Sequence, residues 1–128
     1  MRAPHRRELV PLAQGVFYIA TGLWPIVHLK SFEAVTGPKV DRWLVRTVGG
    51  LISAVGAALM AAAFEQQPGP SRTLAVLGIG SAIALGASDV IYASRGRISK
   101  VYYVDAVAEA AILAAWAVSR RVRKSALR

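Results

Sequence analysis

Four long apolar blocks constrain this chain more than any other feature of its sequence. They run over about residues 9–29, 40–64, 73–94 and 100–119, with short polar connections between them. A helix of about 20 residues is about 30 Å long, which matches the hydrocarbon core of a bilayer. The mean hydropathy of the 128-residue chain is +0.43. The sequence therefore predicts an all-α integral membrane protein, a four-helix transmembrane bundle with short loops that forms a single domain over residues 1–128.

The connections between the blocks carry turn and capping signals. Pro38, preceded by glycine, suits the first position of the second helix. It lies in the longest connection, residues 30–41, where Phe32 and Val35 predict that this loop packs on the bundle or enters the membrane interface. Ser71 follows a Pro-Gly-Pro break and is a candidate N-cap of the third helix.

The chain is strongly basic, with a formal net charge of +9 and no cysteine. Its basic residues lie in the loops and in a basic C-terminal tail at 120–128, where they would meet anionic lipid head groups. We therefore expect membrane lipids as partners and no nucleic acid. The absence of cysteine excludes disulfides, thiolate metal sites and thiol redox chemistry.

The distribution of lysine and arginine predicts an orientation. Nine of them belong to the termini and the second loop, against six on the opposite side, or seven with Arg46. The positive-inside rule then places both termini in the cytoplasm, with dual insertion, as in antiparallel homodimers of small transporters, as the alternative. The expected location is the inner (plasma) membrane of a bacterial cell, with multiple passes.

The last apolar block carries two carboxylates on one helical stripe. The stripe contains Tyr102, Asp105, Glu109, Ile112 and Trp116 at steps of three and four residues. Ionisable side chains are costly in hydrocarbon, and those found there usually face the bundle interior and serve a function. The remaining helices are therefore expected to house this stripe.

Each of the other three helices has a face of polar or small residues at the same spacing. Small residues on such faces let helix backbones approach closely in lipid. The three faces are Gln14, Tyr18, Thr21, Pro25 and His28 in the first helix, Arg46, Gly50, Ser53 and Ala57 in the second, and Gly78, Ala82, Gly86 and Asp89 in the third.

These faces are expected to converge near one side of the membrane, at the first and third loops. Arg46 is the one embedded arginine and meets three embedded carboxyl groups, so we expect an Arg46–Asp89 ion pair. The uncompensated carboxyl groups then hold a proton, a cation or an amine. The candidate residues for binding a ligand or proton are Glu109, Asp105, Asp89, Arg46, Gln14, Tyr18, Trp24 and His28.

The preferred hypothesis is a polar intramembrane pocket that binds or transports a small molecule or lipid linked to a proton or cation. One alternative is a non-catalytic structural or accessory subunit that forms a homodimer or recruits a partner membrane protein. A second is a lipid-modifying enzyme that uses aspartate or glutamate as acid and base. No catalytic residue, metal site or cofactor is predicted.

In size and in its four spans, the chain resembles the small multidrug resistance transporters. The essential glutamate of that family lies in the first helix. Here the first helix carries Gln14 and no carboxylate, and the embedded Glu109 lies in the fourth. The resemblance therefore concerns the layout, and the family's mechanism is not transferred.

Overall fold

The computed structural model of the protein describes residues 9–65 and 71–126. Within them the chain is helical between short connections, so the predicted all-α bundle is confirmed. Four of its helices are long and apolar enough to cross a membrane. The elements are α1 (Leu9–Val27), α2 (Leu29–Thr36), α3 (Arg42–Ala63), α4 (Arg72–Ser94) and α5 (Tyr102–Ala126).

Helices α1 and α3 form an antiparallel pair whose backbones touch. Gly15 faces Gly56, and Gly22 faces Gly49, two helical turns apart along each helix. A Cβ atom placed on Gly15 would lie 2.6 Å from the carbonyl oxygen of Gly56, and one placed on Gly22 would lie 2.5 Å from that of Gly49. Close backbone contact of this kind stabilises helix pairs in lipid, where burial of apolar surface contributes little.

Helices α4 and α5 form the second pair, which α1 joins to the first. Gly78 of α4 makes room for the Trp116 ring of α5, and Gly86 makes room for the side-chain base of Glu109. The small core at the junction contains Tyr18 of α1 together with Trp116. The arrangement brings the last halves of α1 and α4 to the same end of the bundle as the first halves of α3 and α5.

The predicted connection at 30–41 contains an additional helix. Leu29–Thr36 is helical as α2, and Phe32 packs edge-on against Trp24 with ring centroids 5.4 Å apart. The helix ends at Gly37, whose φ of +96° favours glycine. Pro38 therefore follows the end of α2, and α3 begins only at Arg42, so Pro38 is not the first residue of a helix as predicted.

The region predicted as a tail also differs, because α5 continues past Ser119 to Ala126. Arginine, lysine and alanine are good helix formers. Arg120 and Arg121 thus belong to the same helix as the fourth span.

The orientation of α3 is a further correction. Arg46 and Gly50 were predicted to face the bundle, yet both are exposed, whereas Gly49 and Gly56 are buried. Adjacent helical residues point about 100° apart. The face that packs on α1 is therefore the neighbouring stripe, selected by glycine contacts rather than by the polar residues.

Ser71 is the N-cap of α4, as predicted, and its hydroxyl oxygen accepts a hydrogen bond from Leu74 N at 3.1 Å. We expect Ser71→Ala to lower the stability of the protein by about 1 kcal/mol, because the N–H of Leu74 loses its partner. Thermal unfolding in detergent micelles measures the effect. Ser94→Ala at the other end of α4 is the control, since the Ser94 hydroxyl donates to Ile91 O and caps no N–H. Equal shifts for the two variants would contradict the capping role.

Candidate ligand-binding cavity

A cavity of about 650 Å³ lies at the end of the bundle where α1 and α4 end and α3 and α5 begin. This volume is in the range typical of small-molecule sites, roughly 300–1,000 Å³. Most of its wall is aliphatic or aromatic. Apolar lining residues include Phe17, Trp24, Phe32, Val35, Leu44, Val45, Val48, Ile52, Leu85 and Val101.

Glu109 reaches this cavity from the first half of α5, although its side chain is fully buried. Its Oε2 atom accepts a hydrogen bond of 2.8 Å from the hydroxyl of Tyr18, which comes from α1. Its Oε1 atom has no hydrogen-bond partner among the described residues. Because Oε1 has no partner, it can still accept a hydrogen bond. A donor supplied there would remove the cost of a buried, unpartnered carboxyl oxygen.

Asp89 and Asp105 add two further carboxyl groups to the cavity wall, from α4 and α5. Asp89 is 6% exposed, and its Oδ2 atom has no partner within residues 9–65 and 71–126. Because like charges repel each other, this acidic wall favours an external cation beside its carboxyl groups.

The cavity wall also carries an ammonium group, that of Lys39, between α2 and α3. Its Nζ atom donates to the carbonyl oxygen of Thr36 at 3.2 Å. It lies 4.9 Å from the centroid of the Tyr102 ring and 5.8 Å from that of Phe32, both within cation–π range. The sequence interpretation did not include Lys39. No spacing in the sequence indicated it, because the path of residues 30–41 depends on the tertiary contacts of α2.

Gln14 lies one turn from Tyr18 but away from the cavity wall. Its Nε2 atom donates to Gly78 O at 2.8 Å, and its Oε1 atom accepts from Trp116 Nε1 at 2.7 Å. Gln14 thus links α1 to both α4 and α5.

Trp24 and His28, both candidate binding residues, occupy different environments. Trp24 lines the cavity, and its Nε1 atom donates to Ser31 Oγ at 2.8 Å. His28 is exposed and caps α2, with its Nδ1 atom accepting from Ser31 N at 3.2 Å. It lies between α1, which ends at Val27, and α2, which begins at Leu29. Contrary to the prediction, His28 therefore does not line the cavity.

The predicted Arg46–Asp89 ion pair is not formed, because Arg46 points outward from α3. The ion pair found among the described residues joins Arg42 and Glu33 at 2.9 Å near the start of α3, with the arginine exposed. Within residues 9–65 and 71–126, no group of three His, Cys, Asp or Glu side chains is arranged to hold a metal ion. The carboxyl groups of the cavity thus lack the arginine partner that the sequence suggested.

The structure therefore brings together five of the eight candidates at the cavity wall: Tyr18, Trp24, Asp89, Asp105 and Glu109. Chemically, the wall offers carboxyl acceptors and the ammonium group of Lys39 within an apolar enclosure. Comparison of the chain with known protein families, curated proteins and solved structures finds no match.

Proposed function

We propose that this protein binds an amphiphile carrying a protonated amine, with the amine at the carboxyl groups of the cavity and the apolar part along its wall. The observation that carries the proposal is the pair of unpartnered buried oxygens, Asp89 Oδ2 and Glu109 Oε1. Each is an acceptor in a lining otherwise dominated by hydrocarbon and aromatic rings. An ammonium group supplies both the missing N–H donors and the missing positive charge.

The remainder of the wall supports an amphiphilic ligand rather than an inorganic cation. A hydrated ion would leave the apolar wall formed by Phe17, Val48, Ile52 and Leu85 without a partner. A ligand with an aliphatic or aromatic part would contact this wall and gain about 25 cal/mol for each Å² of apolar surface removed from water. The aromatic rings at the same end add favourable contacts for a cation.

The orientation in the membrane is part of the proposal. With both termini in the cytoplasm of a bacterial cell, the cavity would open toward the extracytoplasmic leaflet of the inner membrane. The excess of lysine and arginine on the terminal side supports this orientation. The exposed residues Arg95, Arg97 and Lys100, at the cavity end of the bundle, would then meet lipid head groups there.

A charge series at nearly constant shape tests the proposal. We expect 2-phenylethylamine to bind the purified protein and raise its melting temperature, while 2-phenylethanol and 3-phenylpropionate do so far less. Glu109→Gln should weaken amine binding at least about tenfold, because it removes the charge but keeps an acceptor for Tyr18. Calorimetric titration in detergent gives the dissociation constants.

Glu65→Gln is the matched control, since Glu65 is exposed beyond the opposite end of α3 and loses the same charge. Asp105→Asn provides a second cavity variant in case Glu109→Gln fails to fold. Equal binding of the amine and the alcohol, or a loss with Glu65→Gln as large as with Glu109→Gln, would refute an amine site at these carboxyl groups.

A further inference from the structure

Lys39 places positive charge in a cavity whose other charged groups are carboxyls. Its ammonium group donates one hydrogen bond, to Thr36 O, and lies over the Tyr102 ring. An ammonium has three donors, so its hydrogen-bonding capacity is not exhausted by this contact. Lys39 is thus able to donate to an anionic group inside the cavity.

The ammonium of Lys39 and the carboxyl groups remain separate. Among the described residues, Lys39 forms no ion pair with Asp89, Asp105 or Glu109. It lies over Tyr102, which precedes Asp105 by three residues on α5 and is therefore about 4.5 Å from it along the helix axis. Two opposite charges thus lie on one wall at a distance that a short molecule can span.

This separation bears on which ligands fit. A ligand with only an ammonium group would be repelled by Lys39, and one with only an anionic group would be repelled by the three carboxyl groups. A ligand that carries both groups pairs each with its opposite. It also supplies an acceptor to Lys39 and donors to the unpartnered oxygens of Asp89 and Glu109.

We infer that the cavity is a site for a zwitterion, in which an ammonium group meets the carboxyl cluster and a phosphate group meets Lys39. This inference rests on the proposed amine site and specifies the class of its ligand. The same aminoalkyl phosphate chemistry occurs in a phospholipid head group and in a free phosphorylated amino alcohol. The apolar wall at Val48, Ile52 and Leu85 is suited to the acyl chain of a lipid.

Four probes separate the contributions of charge and chain. They are lysophosphatidylethanolamine, free phosphoethanolamine, dodecylamine and lysophosphatidic acid, titrated into the full-length protein in non-ionic detergent. We expect lysophosphatidylethanolamine to bind at least about tenfold more tightly than dodecylamine, because it adds one charge-assisted hydrogen bond to Lys39. If free phosphoethanolamine binds as tightly as lysophosphatidylethanolamine, the ligand is a soluble zwitterion. If only lysophosphatidylethanolamine binds, the ligand is a phospholipid with this head group. Failure of both zwitterions to bind would overturn the inference.

Lys39→Met is the diagnostic variant, and Lys30→Met, which changes an exposed lysine of α2 outside the cavity wall, is its control. Lys39→Met should weaken binding of the zwitterion at least about tenfold while leaving dodecylamine binding equal or stronger. Lys30→Met should change neither. An unchanged ratio of zwitterion to amine affinity in Lys39→Met would overturn the inference.

The amine site itself is tested separately by Glu109→Gln with dodecylamine. If Glu109→Gln weakens amine binding but Lys39→Met does not alter the zwitterion preference, the amine site stands and the zwitterion class is wrong. If Glu109→Gln leaves amine binding unchanged, the proposed function fails as well. The two failures are therefore distinguishable in one set of titrations.

Discussion

Replacing Gly49 by alanine is expected to lower the melting temperature sharply, whereas the same change at the adjacent Gly50 should leave it unchanged or raise it. A Cβ atom on Gly49 would overlap the carbonyl oxygen of Gly22, and backbone atoms cannot move aside as a flexible side chain does. A Cβ atom on Gly50 would meet no described atom within 4 Å. We expect Gly49→Ala to cost at least about 3 kcal/mol, the upper end of typical overpacking penalties. Gly50→Ala should be neutral or stabilise by up to about 1 kcal/mol through helix propensity.

Thermal unfolding of the two variants in the same detergent measures this difference. Gly50→Ala is a matched control, because it makes the same substitution at an adjacent position of α3. Gly22→Ala tests the other side of the same contact and should resemble Gly49→Ala. Similar melting temperatures for Gly49→Ala and Gly50→Ala would show that α1 and α3 do not pack through their backbones at this position.

Gln14→Leu is expected to have the second largest effect, a loss of about 1–3 kcal/mol. Leucine has nearly the same size but removes the acceptor of Trp116 Nε1 and the donor to Gly78 O. Trp116 is completely buried, so its N–H would lose its partner in an apolar interior. Unfolding followed by tryptophan fluorescence measures the change in the free energy of unfolding.

A double-mutant cycle with Trp116→Phe separates the hydrogen bond from the packing. Phenylalanine has no N–H, so the penalty of Gln14→Leu should be smaller in the Trp116→Phe background. Additive effects of the two substitutions would show that the Gln14–Trp116 hydrogen bond contributes nothing to stability.

The fold was largely predictable, because four apolar blocks of membrane-spanning length admit few other structures. The inward stripes of α1, α4 and α5 were also predictable, since costly groups such as Glu109 have to avoid lipid. The face of α3 was not, because its polar residue Arg46 lies near a helix end. There an arginine remains exposed, as snorkelling side chains do. The informative pattern was the repetition of Gly49 and Gly56 at seven residues, matching Gly15 and Gly22.

The candidate site was predictable in its carboxyl groups and not in its remaining wall. Asp105 and Glu109 share one helix, so their spacing alone places them together. Lys39 reaches the cavity from a connection whose path depends on α2, an eight-residue helix that is too short to form without tertiary contacts. Those contacts, such as Trp24 with Phe32, join residues whose proximity no periodic pattern encodes.

The polar partners of α1 lie far from it in the sequence, which decides which parts of the bundle are self-sufficient. The groups that bond Gln14 and Tyr18 follow them by 64, 91 and 102 residues. The glycine contacts with α3, in contrast, need only the first helix pair. A hairpin of α1 and α3 alone would therefore pack through its backbones and leave the Gln14 amide and the Tyr18 hydroxyl without partners in an apolar environment. Both α4 and α5 have to pack against α1 before these two side chains are satisfied.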